Sequence, residues 1–121
     1  MQHVGVDIVE IHRIESVITR WGDKFLKRVF TPAELRKYGT RISSLAARFA
    51  AKEAVFKSLG ACDVGISWQE IEILAEPSGK PNVILSGKAM RTAYGLNIKE
   101  LAVSLSHSEA YAVAFVVGIT D

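Results

Sequence analysis

The spacing of hydrophobic residues changes along this chain, from helical in the first half to alternating in the second. A short apolar run, His3 to Ile8, predicts a buried strand. Glu10 to about Arg28 reads as helical, with a break near Trp21-Gly22-Asp23. Thr31 and Pro32 predict a helix start, with threonine as N-cap, proline in the first turn and Glu34 completing a capping box. That helix stops by Gly39, and a long, mostly apolar helix runs from about Arg41 to Leu59, with Gly60 as its C-cap. Further on, Gln69 to Ala75 alternates Ile71, Ile73 and Ala75 against Glu70 and Glu72, the pattern of a half-buried strand. Pro77-Ser78-Gly79-Lys80-Pro81 is a turn, and Asn82 to Leu85 a short strand. Ser86 is placed to cap a helix that runs to about Tyr94 and ends at Gly95. Leu101 to His107 and Tyr111 to Val117 form a hairpin joined at Ser108-Glu109-Ala110. Helices first and strands later predict an α+β fold, an antiparallel sheet packed around the long helix. No boundary divides the 121 residues, which fit a single domain.

The position that breaks this pattern is Glu53. At about 100° per residue, Ile42, Ala46, Phe49, Ala50, Phe56 and Gly60 share a helix face, and Glu53 lies in the middle of it. A carboxylate there loses water and needs a partner, a proton or a metal. Lys57 follows one turn later on the same side, so an i, i+4 pair within the helix is the plain alternative. A second isolated acid, Asp7, sits in V-G-V-D-I-V, where a turn or cap residue is the ordinary reading. Two hard oxygen ligands and a lysine suit a divalent cation holding a phosphate ester.

Composition narrows the class. Fifteen Lys and Arg against thirteen Asp and Glu give a net charge of +2, too mild to point to nucleic acid and enough for a local basic patch. Cys62 is the only cysteine, which leaves no internal disulfide and no zinc cluster and suits a small core residue. Asp7, Glu10 and Arg13 interrupt any signal-peptide core, and no apolar run reaches the roughly 18 residues of a membrane span. A soluble cytoplasmic protein is expected.

Other charged groups each have two readings. Arg41, Arg48 and Lys52 lie along one stripe of the long helix, as a solvated face or as a rail for phosphate oxygens. Arg13, Arg20, Lys24 and Lys27 share a face of the N-terminal helical region, as solubility decoration or as a dock for an acidic protein. His107, with Ser104 and Ser106 on the same strand, is a structural residue or a hydrogen-bond donor to phosphate. There is no Ser-His-Asp or Cys-His arrangement, no G-x-x-x-x-G-K-S/T and no G-x-G-x-x-G.

Three segments taken together go further. Gly5–Ile14 (GVDIVEIHRI), Arg48–Gly60 (RFAAKEAVFKSLG) and Val103–Ala114 (VSLSHSEAYAVA) resemble, in this order, the motifs of the holo-[acyl-carrier-protein] synthases, the small stand-alone class of 4′-phosphopantetheinyl transferases. The segments ISWQEIEIL, SGKP and FTPAEL are similar to the family as well, so the resemblance covers essentially the whole chain. Ser58 stands where alanine is commoner, and Ala61-Cys62-Asp63-Val64 replaces a more glycine-rich loop.

The resemblance implies transfer of phosphopantetheine from coenzyme A to a serine of apo-acyl carrier protein, in support of fatty acid biosynthesis, with adenosine 3′,5′-bisphosphate as the other product. It implies that Asp7 and Glu53 would hold Mg²⁺ and that Lys57 would contact the diphosphate and assist proton movement. Arg48, Ser106 and His107 would bind coenzyme A, with Gly79-Lys80-Pro81 beside the nucleotide. Arg13, Arg20 and Lys24 would meet the acidic carrier protein. The base is left as Glu53 or a metal-bound water. The class also implies a homotrimer with sites between subunits. The rival from the residues alone is a non-catalytic basic module binding an acidic protein or nucleic acid, which leaves Glu53 unexplained. Within the enzyme class, the alternative clients are polyketide or peptide carrier domains.

Overall fold

The computed structural model describes residues 2–60 and 65–120; Ala61-Cys62-Asp63-Val64 lie outside them. Strand β1 (Gln2–Glu10) leads into helices α1 (Ile11–Trp21), α2 (Asp23–Val29), α3 (Pro32–Tyr38) and α4 (Ile42–Leu59). A 3₁₀ turn, Trp68–Glu70, then opens β2 (Ile71–Ala75), followed by β3 (Pro81–Leu85), α5 (Gly87–Gly95), β4 (Ile98–His107) and β5 (Tyr111–Thr120). Two antiparallel sheets result, one ordered β1-β5-β4 and one pairing β2 with β3. The mixed helix-and-sheet class expected from the sequence is the one observed. Among the described residues no helix is long and apolar enough to cross a membrane.

Local chemistry accounts for most boundaries. Gly22, at φ 53°, separates α1 from α2 at the expected break. Thr31 and Glu34 form the expected capping box at the start of α3. Gly60 ends α4 in the left-handed conformation that glycine adopts without a Cβ penalty. The start of α5 differs from expectation: Ser86 makes no side-chain cap. Glu70 reaches in from the 3₁₀ turn, and its carboxylate accepts from the Lys88 amide. Gly87 leaves room for that carboxylate, since a Cβ there would stand 1.8 Å from Glu70 Oε2.

The core gathers around α4. Ala50, Ala51, Ala54, Val55 and Leu59 pack on Ile71 and Ile73 of β2, on Ala89 and Ala93 of α5, and on Ala114 and Val116 of β5. The N-terminal strand is not buried as expected. Val4, Val6 and Ile8 are 58%, 53% and 61% exposed, because β1 is an edge strand and they point away from α4. Gly5 is the buried residue of β1 and lies directly on the helix.

Gly5 also limits how the helix and strand can approach. A Cβ there would stand 1.9 Å from the Ala54 carbonyl oxygen, 2.9 Å from its carbon and 3.0 Å from the Ser58 nitrogen. All three are backbone atoms, so relief requires moving α4 off β1. Gly5→Ala should therefore cost about 1–3 kcal/mol, the usual range for overpacking, and lower the urea midpoint. An unchanged midpoint would show that the two elements separate freely.

Candidate active site

Three side chains meet where β1 crosses α4. Asp7 lies within β1, opposite Ala114 of β5, and is not the turn or cap residue of the ordinary reading. Strand alternation puts it on the same side as Gly5, facing the helix. Lys57 of α4 donates to the Val6 carbonyl at 2.9 Å and to Asp7 Oδ1 at 3.1 Å. Its ammonium thus crosses to β1, whereas the sequence alternative had it pairing with Glu53 along the helix. Glu53, one turn earlier on α4, lines the same cavity as Asp7. Burial raises its pKa above the ordinary glutamate value, the charge of Asp7 raises it further, and Lys57 opposes both.

The cavity measures about 500 Å³. Arg13 and Glu10 line it beside the two acids, and Val17, Phe25 and Phe49 contribute apolar wall. Phe49 is held in a chain of rings, 6.0 Å from Phe25 and stacked at 5.1 Å on Trp68. Sequence reasoning found Asp7, Glu53, Lys57 and Arg13. It missed the apolar walls and Tyr111, because an aromatic at a core phase looks the same whether it faces a neighbour or a cavity.

The upward shift of Glu53 bears on metal binding. Two carboxylates share one space at the expense of mutual repulsion, and a cation between them relieves it. Their hard oxygens suit Mg²⁺. Among the described residues no group of three His, Cys, Asp or Glu side chains is arranged to hold a metal. A cation here would take two protein ligands and complete its shell from a substrate or water.

The remaining predicted residues lie elsewhere on the chain. Arg48 stacks its guanidinium 3.8 Å from the Tyr38 ring centre, with Nε buried and without a hydrogen-bond partner among the described residues. Arg41 lies 5.8 Å from the same ring. Lys52 fits neither reading of that stripe: it is fully buried and paired with Glu34 at 2.8 Å, because α3 and β2 cover this side of the helix. Ser106 and His107 are exposed at the end of β4, and Gly79 and Lys80 in the turn before β3, which Pro81 opens. None of Arg48, Gly79, Lys80, Pro81, Ser106 or His107 lines the acid cavity. Arg20 sits 5.3 Å from the Trp21 ring. Lys24 lines a second cleft of about 420 Å³ with Val17, Trp21, Phe25 and Arg28.

An acid pair with a lysine beside an apolar-walled cavity, with no serine, threonine or cysteine among the described lining residues, is suited to holding and neutralising a charged group. Residues 3–116 match the family model of the 4′-phosphopantetheinyl transferase superfamily. The chain belongs to that family. It is 52% identical over 117 residues to a holo-[acyl-carrier-protein] synthase of Dehalococcoides mccartyi, spanning 97% of this chain and 98% of that one. A synthase of the same name from Moorella thermoacetica is 50% identical, with 94% and 91% covered. Among solved structures, the Helicobacter pylori holo-[acyl-carrier-protein] synthase in complex with coenzyme A superposes with a TM-score of 0.85 at 37% identity, covering 96% of this chain and 99% of that one.

The Glu53 shift makes a prediction about stability. Its pKa is higher in the folded chain than in the unfolded one. Between the two values the folded state holds the extra proton, so this contribution to stability is full at low pH and is lost as pH rises through the folded pKa. Without metal, Glu53→Gln should therefore melt above wild type at neutral pH. The difference should close toward about pH 4, the ordinary glutamate range. Thermal melts in chelator read this directly, and a glutamine variant that melts lower at neutral pH would contradict it.

Proposed function

We propose that this chain transfers 4′-phosphopantetheine from coenzyme A to a serine hydroxyl of an apo-acyl carrier protein and so serves fatty acid biosynthesis in the cytoplasm. Kinship with the holo-[acyl-carrier-protein] synthases over nearly the whole chain carries this reading, and the acid cavity supplies its mechanism. The serine oxygen attacks the phosphorus that bears pantetheine. A new P–O bond forms, the diphosphate bridge breaks, and adenosine 3′,5′-bisphosphate leaves. Such a reaction asks a protein for positioning and charge neutralisation.

Asp7 and Glu53 would hold Mg²⁺, which would supply neutralisation of the diphosphate and improve the leaving group. Lys57, already directed at Asp7, adds a positive charge at the reacting end and assists proton movement. The serine proton passes to Glu53 or to water. Arg48, Ser106 and His107 bind coenzyme A, and Gly79-Lys80-Pro81 lies against the nucleotide. Arg13, Arg20 and Lys24 meet the acidic surface of the carrier. Opposite charge raises the rate of that encounter and makes it sensitive to salt.

Two observations support a homotrimer with sites between subunits. Within one chain the residues proposed here for coenzyme A do not line the acid cavity. The sheet face turned away from α4 exposes Val4, Val6 and Ile8 beside Phe115 and Ile119, an apolar patch suited to burial against another copy. A single-chain mass in light scattering would remove the trimer from the account.

Mixed with Mg²⁺, coenzyme A and an apo-carrier protein, the chain should raise the carrier's mass by one phosphopantetheine. Glu53→Ala should slow transfer by about 10²–10³-fold, the scale for losing one charge-stabilising group, with its circular dichroism unchanged. Transfer to no carrier protein would overturn the reading, and wild-type rates in the variant would remove Glu53 from the chemistry.

A further inference from the structure

On the side of α4 away from the acid cavity lies a second charged cluster that the proposed mechanism does not use. Lys52 and Glu34 are both fully buried, with Nζ 2.8 Å from Oε1. Lys52 also donates to the carbonyls of Trp68, at 3.2 Å, and Ile71. Glu34 accepts from the Thr31 amide at 2.9 Å through Oε1 and from the Ile73 amide at 2.7 Å through Oε2. One ion pair thus joins α3, α4, the 3₁₀ turn and β2. Burial pushes the Lys52 pKa down, and Glu34 holds it up in opposition.

Stability alone is a poor reason to keep such a pair, since desolvation offsets most of the attraction and apolar replacements are often as stable. Direction is a better one. Five of the eighteen residues of α4 are alanines, Ala46, Ala47, Ala50, Ala51 and Ala54, and all five are buried. Apolar burial is non-directional, so the packing of these alanines beside Leu45, Val55 and Leu59 gains a directed attachment from the ion pair. With a radius of 5–6 Å to the side-chain ends, a roll of about 20° carries a carboxylate roughly 2 Å. A misplacement of about 1 Å can already cost 10²-fold in rate.

We propose that Lys52 is a positioning residue: paired with Glu34, it sets the roll of α4 that aims Glu53 and Lys57 at Asp7. Lys52 acts through the helix and touches no substrate. The inference rests on the proposed transferase site, whose geometry it explains.

The test removes both charges together, as Lys52→Met with Glu34→Gln in the full chain, so that no buried charge is left alone. Transfer kinetics and binding of Mn²⁺ alone, read as free ion by electron paramagnetic resonance, are measured where wild type and variant are both folded. The expected result is a fall of about 10–100-fold in kcat and in Mn²⁺ affinity, the range for losing an outer support of a metal site, with the KM for coenzyme A little changed. A variant within twofold of wild type in kcat and Mn²⁺ affinity, whatever its melting temperature, overturns the proposal and leaves the pair a structural role only. If the double variant does not fold, Lys52→Gln with Glu34→Gln, which removes both charges and keeps hydrogen-bonding groups at both positions, is judged by the same two readouts. Should the wild-type chain transfer nothing, the functional reading fails, and the Mn²⁺ comparison still decides the role of Lys52.

Discussion

The contact on which the rest depends is backbone against backbone, Gly5 of β1 lying on Ala54 of α4. Only a residue without a Cβ permits that approach. Its consequence appears two residues along the strand and one residue back along the helix, where Asp7 and Glu53 come to line one cavity. Lys57 secures the crossing from the other side by bonding both the Val6 carbonyl and the Asp7 carboxylate. A wider gap would leave the two acids in separate surroundings, and both the burial that raises the Glu53 pKa and the charge of Asp7 that adds to it would fade.

The same helix is held on its far side by charge. Glu34 first caps α3 and then, with its remaining capacity, binds Lys52 and the Ile73 amide. One carboxylate therefore ties the start of α3 to the middle of α4 and to β2. Gly5 sets the distance of α4 from β1, and the ion pair gives α4 a directional attachment that its alanines cannot. Side chains placed on regular elements with locked neighbours are held more closely than side chains on loops.

Much of this was legible in the sequence, for local reasons. Thr31, Pro32 and Glu34 announce a helix start by their own hydrogen-bonding chemistry, and Gly22 and Gly60 mark breaks through backbone freedom. Glu53 stood out because a charge at an apolar helical phase demands an explanation. The failures are all tertiary. The run around Val4, Val6 and Ile8 looked buried because an outward apolar face and an inward one read alike when the covering partner is unknown. Lys52 looked like part of a surface stripe because its partner lies 18 positions away, in a residue already assigned to a cap. The capping of α5 by Glu70 was hidden for the same reason: Ser86 adjoins the helix in sequence, and the carboxylate that accepts from the Lys88 amide comes from 18 positions away.

The central claim is that Asp7 and Glu53 grip one cation at the diphosphate of coenzyme A. Anomalous scattering from Mn²⁺ in crystals grown with coenzyme A tests it most directly. The account predicts a peak within coordination distance of both carboxylates and of diphosphate oxygens. A peak bound elsewhere, with the two carboxyl groups too far apart to share an ion within or between subunits, would contradict it.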